Sequence, residues 1–320
     1  CASLPIVFLI WIMFAFPKYV THGDIAAIVL GFSRLYQPIK RIGKINSSYE
    51  TANIAGRSLF KWLDIKKERL NGKIITLQST PDLKIKDVSV ERDYKKIIEG
   101  VNINIPSKAV IAFAGESGSG KSSLLLAISG LLPLSNGDIF IDKDALSKIN
   151  LSSWRNQIGY VDQELPIFNM TITENIAFFK PVDMKKIVKA CYIASLDPNE
   201  FQGGFDQMID YGGHNLSNGQ KQRIVLARAI YHAKHLLIID EATSALDQKT
   251  ESKVYKRIKE ELSHLTVILT SHRPAGLRYA DVIHVISKGE VVESGNYDQL
   301  IENNQHFAKI MERKINAEIA

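Results

Sequence analysis

Downstream of residue 82 the chain alternates short apolar blocks with longer stretches whose apolar residues recur at helical spacing. The blocks at 83–90, 97–105, 109–114, 137–141, 159–161, 236–239 and 266–270 are short and rich in Ile, Val and Leu, and read as strands. The stretches 122–132, 184–195 and 219–233 read as helices, the first with Leu124, Leu125, Leu126 and Ile128 to bury. Alternating strands and helices predict a mostly parallel α/β sheet that binds its ligand beyond the carboxyl ends of the strands.

The pattern upstream is different. Residues 4–16 carry no charge, yet they are fewer than the ~20 needed to cross a bilayer. With Trp11, Pro17, Lys18 and Tyr19 suited to a membrane edge, a truncated membrane helix is expected in preference to a buried core helix. After a polar turn at 21–24, residues 25–35 are largely apolar, and the helical pattern runs on towards Leu63 while gathering Lys40, Arg41, Lys44, Arg57 and Lys61. Positive charge beyond a membrane helix marks its cytoplasmic side. The expected organisation is the end of a membrane domain over 1–64, a charged Gly- and Pro-containing linker over 65–82, and a separate domain over 83–320.

Bulk properties narrow this picture only slightly. The net charge of +6 comes from scattered lysines, with no basic run interleaved with aromatics, so a nucleic-acid partner is not expected. The two cysteines, Cys1 and Cys191, form neither a disulfide framework nor a zinc pattern. The chain opens on Cys1 with no basic segment before its apolar run, which predicts the C-terminal part of a longer protein and no signal peptide.

The strongest chemistry lies where the 109–114 block ends. Gly115, Glu116, Ser117, Gly118, Ser119, Gly120, Lys121, Ser122 and Ser123 fit G-x-x-x-x-G-K-[ST], between a strand and a helix. Glycines let backbone N–H groups wrap a polyphosphate, and the following helix turns its positive end towards the anion. Lys121 supplies a charge for the β- and γ-phosphates and Ser122 a hydroxyl for magnesium. The 236–239 block ends in Asp240 and Glu241, which suits a strand delivering one carboxylate to a metal and a second to an attacking water.

The run LSNGQKQR at 216–223 resembles the LSGGQ signature of the ATP-binding-cassette (ABC) family. Other family elements appear in order: Gln163 in GYVDQELPIF resembles the Q-loop glutamine, SALD at 244–247 the D-loop, and His272 in ILTSH the switch histidine. The run NMTITENIAF at 169–178 is similar to the exporter helical subdomain. The run GDIAAIVLGFSRLYQPIKRI at 23–42 resembles the last membrane helix of type I (type IV) exporters, and RSLFKWLDI at 57–65 the entry into the nucleotide domain.

The resemblance implies a P-loop cassette with a RecA-like core, an antiparallel β subdomain and a helical signature subdomain, preceded by the C-terminal transmembrane helices of an all-α membrane domain. It further implies ATP and Mg2+ as ligands, with Ser122, Gln163 and Asp240 around the metal, Glu241 on the water and His272 on the γ-phosphate. The chain carries one P-loop and one signature, so Ser217 and Gly219 are expected to act across a seam with a second half-transporter chain, identical or not, and Gln220 and Asp247 are expected among the nucleotide-binding residues. The location implied is a bacterial inner membrane with the nucleotide domain in the cytoplasm, exporting or flipping a substrate that the sequence does not identify. The competing reading is a soluble cassette ATPase acting on nucleic acid or the ribosome.

Three positions depart from the pattern. Asn218 replaces the first signature glycine, where its tolerance of left-handed backbone would preserve a turn. Tyr211 stands where a glutamate is expected. Either Arg92 or Tyr94 is left to stack on adenine.

Overall fold

The computed structural model describes residues 21–64, 71–92, 94–164, 166–271 and 273–319, together with Val7, Trp11, Ile12, Phe14, Ala15 and Glu68. By internal contacts the chain divides into 1–68 and 69–320.

In the first unit, helix α1 (His22–Leu63) is 42 residues long, about 63 Å at 1.5 Å per residue. It starts in a capping box: Thr21 Oγ1 accepts from the Asp24 N–H, and the Asp24 carboxylate accepts from the Thr21 N–H. Leu30, Leu35, Tyr36, Ile42, Ile45 and Tyr49 stand exposed along it. No helix among the described residues is long and apolar enough to cross a membrane. The apolar run 4–16 lies outside the described residues apart from the five named above.

In the second unit the strands divide into two sheets. Strands β1 (Leu83–Arg92), β2 (Lys95–Ile105), β4 (Asn136–Ile141) and β5 (Asp144–Ala145) form an antiparallel sheet in the order β2-β1-β4-β5. Strands β3 (Val110–Ala114), β6 (Ile158–Val161), β7 (Leu236–Asp240), β8 (Thr266–Thr270), β9 (Val282–Ser287) and β10 (Glu290–Gly295) form the other, in the order β10-β9-β3-β8-β7-β6. All its neighbours are parallel except β9 and β10. This is the α/β arrangement that the alternation of blocks and helical stretches predicts.

Every residue of β3, β7 and β8 is buried, because both faces of that sheet are covered. The period-2 pleat sends neighbouring residues into different cores. Ala112, Ala114, Leu237 and Ile239 join one cluster, while Ile111, Phe113, Leu236 and Ile238 join the other. The second cluster lies towards the antiparallel sheet and helices α2 (Lys121–Ile128) and α3 (Leu151–Arg155). The first is closed by α4 (Ile172–Ala177), α5 (Met184–Ile193), α6 (Asn218–His232) and α7 (Gln248–Glu261). Short α8 (Pro274–Leu277), α9 (Tyr297–Glu302) and α10 (His306–Ile319) complete the chain.

Some boundaries differ from the sequence expectation. Helix α2 stops at Ile128 and not at 132, because Gly130 turns the chain at φ +70° and a Cβ there would sit 2.9 Å from Leu151 Cδ2. The 72–82 stretch, expected as linker, belongs to the second unit. Lys73 bridges to Ile149, Ile75 is buried, and Thr80 Oγ1 donates to the His264 carbonyl at 2.6 Å.

Candidate nucleotide-binding site

Parallel order brings the carboxyl ends of β6, β7, β8 and β3 to one edge of the sheet, and the loop 115–120 leaves β3 there. That loop is pinned by close packing. A Cβ on Gly115, at φ +151°, would lie 2.2 Å from the Ile286 carbonyl oxygen, and one on Gly120, at φ +107°, 2.6 Å from Ile98 Cδ1. Gly289 N–H donates to Ser119 O at 3.1 Å while its own carbonyl accepts from Glu99 N–H at 3.0 Å, tying the loop to the β9–β10 turn and to β2. Gly120 caps α2 without any side-chain hydrogen bond. The first-turn N–H groups of α2 are therefore not claimed by a cap, which is the condition for binding an anion at a helix start.

Lys121 is only 4% exposed, and its Nζ donates to the carbonyls of Gly115 (3.0 Å) and Glu116 (2.9 Å). The ammonium is thus folded back inside the loop it closes. Ser119 Oγ is buried with no hydrogen-bond partner among the described residues. A cleft of about 210 Å³ opens beside them, lined by Ile97, Ser117, Gly118, Gly120, Lys121, Ser122, Ser123, Gln163 and Glu241. Over Gly118 a Cβ would meet nothing within 4 Å, so the loop is open on that side.

The two acids at the end of β7 are held by its neighbour in the sheet. The β7–β8 register sets Asp240 opposite Thr270. Thr270 Oγ1 donates to Asp240 Oδ1 at 2.6 Å and accepts from Glu241 N–H at 3.0 Å. Asp240 is 2% exposed; burial pushes its pKa up, opposed by hydrogen bonds from Thr270 and from the Ser122 hydroxyl. Glu241 leaves the strand with φ +51° and reaches the cleft. Gln163 reaches it from the end of β6, with its N–H donating to Asp162 Oδ1 at 2.7 Å.

Ser122, Gln163 and Glu241 thus line one cleft beside Lys121, and Asp240 is buried next to it, hydrogen-bonded to the Ser122 hydroxyl. The hydroxyl, amide and carboxylate oxygens of Ser122, Gln163 and Asp240 suit a small hard cation that takes its remaining ligands from phosphate and water. No cluster of three His, Cys, Asp or Glu residues able to hold a metal alone occurs among the described residues.

Other expected site residues lie elsewhere. Tyr94 is fully exposed in the β1–β2 turn at φ +62°, Arg92 pairs with Lys95 in the same hairpin, and neither lines the cleft. His272 lies outside the described residues. At the start of α6, Ser217 Oγ accepts from Gln220 N–H (3.2 Å) and Gln220 Oε1 from Ser217 N–H (2.9 Å). Both side chains thus cap their own helix. Gly219 follows in the first turn, and none of the three lines the cleft. Asn218 is the first residue of α6 and is not among the residues with positive φ, so its tolerance of left-handed backbone is not drawn on. Asp247 caps α7, accepting from Thr250 N–H at 2.9 Å, and Tyr211 is exposed. Thr270 was not anticipated; the one signal for it was its place as the polar end of the apolar block 266–270.

Residues 98–244 match the family model described as ABC transporter. The chain is 34% identical over 296 residues to an ATP-dependent lipid A-core flippase of Wigglesworthia glossinidia brevipalpis, covering 91% of this chain and 51% of the relative. It is 31% identical over 318 residues to the protein of the same name in Escherichia coli (strain K12), covering 97% and 54%. A bacterial Atm1-family ABC exporter with ATP bound superposes with a TM-score of 0.76 at 24% identity, over 96% of this chain and 55% of that one. The chain spans about half the length of the relatives it matches.

Proposed function

Because the chain belongs to the ABC transporter family, we propose that its second unit is the ATP-hydrolysing domain of an exporter half-transporter. The observation that carries this reading is the cleft beside Lys121 at the start of α2, lined by Ser122, Gln163 and Glu241, with buried Asp240 hydrogen-bonded to the Ser122 hydroxyl.

In this reading the loop 115–123 receives the triphosphate through backbone N–H groups and the Lys121 ammonium, while Ser122, Asp240 and Gln163 hold magnesium and its waters. Magnesium, when bound, supplies charge neutralisation on the β- and γ-phosphates. Glu241 orients or deprotonates the water that attacks the γ-phosphorus, and His272 contacts the terminal phosphate. Displacement breaks the γ-phosphorus–oxygen bond and leaves ADP and phosphate, so the protein's task is chiefly positioning and electrostatics.

The start of α6 does not line the cleft of its own chain, which supports completion of the site by Ser217, Gly219 and Gln220 of a second chain, with Asp247 at the seam. Arg92 or Tyr94 is proposed to meet the adenine. Residues 1–64 are proposed as the end of a membrane domain lying in a bacterial inner membrane, and the second unit as the cytoplasmic nucleotide domain. The relatives are named lipid A-core flippases, which supports an amphipathic lipid as the substrate class. They favour the exporter over a nucleic-acid or ribosome ATPase.

Glu241→Gln is the decisive variant. It is expected to retain ATP affinity while phosphate release falls by a factor of about 100 or more. Steady-state hydrolysis near the wild-type rate would remove Glu241 from its role. Lys121→Ala is expected to weaken ATP binding itself, and unchanged affinity by equilibrium titration would contradict the phosphate assignment.

A further inference from the structure

Beneath the loop that follows Glu241 lies a charged residue that the reaction scheme does not use. Glu251, in the first turn of α7, is 1% exposed. Its Oε1 accepts from Thr243 Oγ1 at 2.7 Å, and its Oε2 lies 3.4 Å from an Arg273 guanidinium nitrogen. That same nitrogen donates to Leu246 O at 2.7 Å. Thr243 Oγ1 also lies 3.0 Å from Tyr255 OH; Thr243 is 2% exposed and Tyr255 1%. Burial drives the Tyr255 phenol well above its usual pKa, so it stays neutral.

A carboxylate at this depth is stable only when paired and hydrogen-bonded. Here its partners are spread over two functional loops. Thr243 and Leu246 belong to the turn 241–247, which begins at Glu241 in its left-handed conformation and ends at the Asp247 cap of α7. Arg273 belongs to the segment after β8, where its own N–H donates to Ser271 Oγ at 3.0 Å. The 241–247 turn is also gripped from α6: Gln222 Nε2 donates to Ser244 Oγ at 3.1 Å, and Gln222 Oε1 accepts from Ala245 N–H at 2.9 Å. One buried carboxylate thus ties together the turn that follows the Glu241 strand end and the backbone that follows the Thr270 strand end.

We propose that Glu251 is a positioning residue for ATP hydrolysis. Through Thr243 and Arg273 it fixes the turn that carries Glu241 against the loop after β8, without touching nucleotide itself. The proposal rests on the ATPase reading given above. It assigns to a residue outside every nucleotide motif a part in setting the geometry of the attacking water.

The test uses the full-length transporter, with wild type and Glu241→Gln run beside each variant. Glu251→Gln keeps the shape and an acceptor for Thr243 but removes the charge facing Arg273, and Thr243→Val removes the hydroxyl at nearly constant volume. Each is expected to lower kcat by about 10- to 100-fold, since a small displacement of a reacting group costs that much. ATP affinity should stay within about threefold of wild type, the pattern of an interaction made only in the transition state. Thr243→Ser, which keeps the hydroxyl, is expected to restore turnover, and the Thr243→Val/Glu251→Gln pair to be no slower than either single variant.

A role confined to stability would lower the melting temperature and leave kcat per nucleotide-binding molecule unchanged; that result overturns the proposal. If Glu251→Gln does not fold, Thr243→Val with wild-type kcat overturns it equally. A wild type without ATPase activity overturns the reading beneath, and this proposal with it. An active wild type, silenced by Glu241→Gln but indifferent to Glu251→Gln and Thr243→Val, overturns this proposal alone.

Discussion

Thr270 shows how one residue can serve a whole site. Its hydroxyl is at once donor to Asp240 and acceptor from the Glu241 N–H. Thr270→Val preserves shape and leaves a buried carboxylate with one partner fewer. The expected cost is about 1–3 kcal/mol of stability with a loss of turnover, read by urea unfolding and phosphate release. His284 offers a test in pH. It is 8% exposed, its Nδ1 lies 2.7 Å from Ser294 Oγ, its Nε2 has no hydrogen-bond partner among the described residues, and burial lowers its pKa from 6.5 to about 4. The unfolded chain therefore binds the proton first as pH falls, so stability contributed by neutral His284 is present above pH 6.5 and lost towards pH 4. The full loss is about 3 kcal/mol, and a His284→Asn chain is expected to show a shallower decline of melting temperature over that window. Lys121, Ser122, Asp240 and Glu241 were legible in the sequence because their chemistry is local to their motifs. Thr270 and Glu251 were not, because their partners come from strand register and helix packing and not from neighbours along the chain.

At the level of elements, the blocks buried on both faces were the most readable, since an apolar run flanked by polar turns leaves few alternatives. Strands β5, β9 and β10 and helices α3, α7, α8, α9 and α10 went unanticipated. Strand β10 alternates buried, half-buried and exposed positions and pairs antiparallel at the sheet edge, where periodicity is weak. The start of α6 separates two roles for one residue. Ser217 caps the helix now and is proposed to meet nucleotide held by another chain. Ser217→Ala is expected to cost about 1 kcal/mol from the lost cap, visible by denaturant unfolding without nucleotide. If unfolding is unchanged, the cap contributes nothing and the residue is retained for other reasons. Loop 115–120 is a second such element: Gly115→Ala is expected to abolish nucleotide binding, because its Cβ would meet the Ile286 carbonyl at 2.2 Å.

For the molecule as a whole, the two sheets and two cores of the second unit converge on one nucleotide cleft, while the helix start resembling a signature stays off that cleft. The proposed site is complete only when a second chain supplies that helix start. The most direct measurement places cysteines at Ser117 and Ser217 in a chain whose Cys1 and Cys191 are replaced, in the Glu241→Gln background, and follows intermolecular disulfide formation as ATP is titrated. The expected result is a cross-linked dimer that forms with ATP and not without it. Saturated ATP binding with no cross-link between chains would contradict the account.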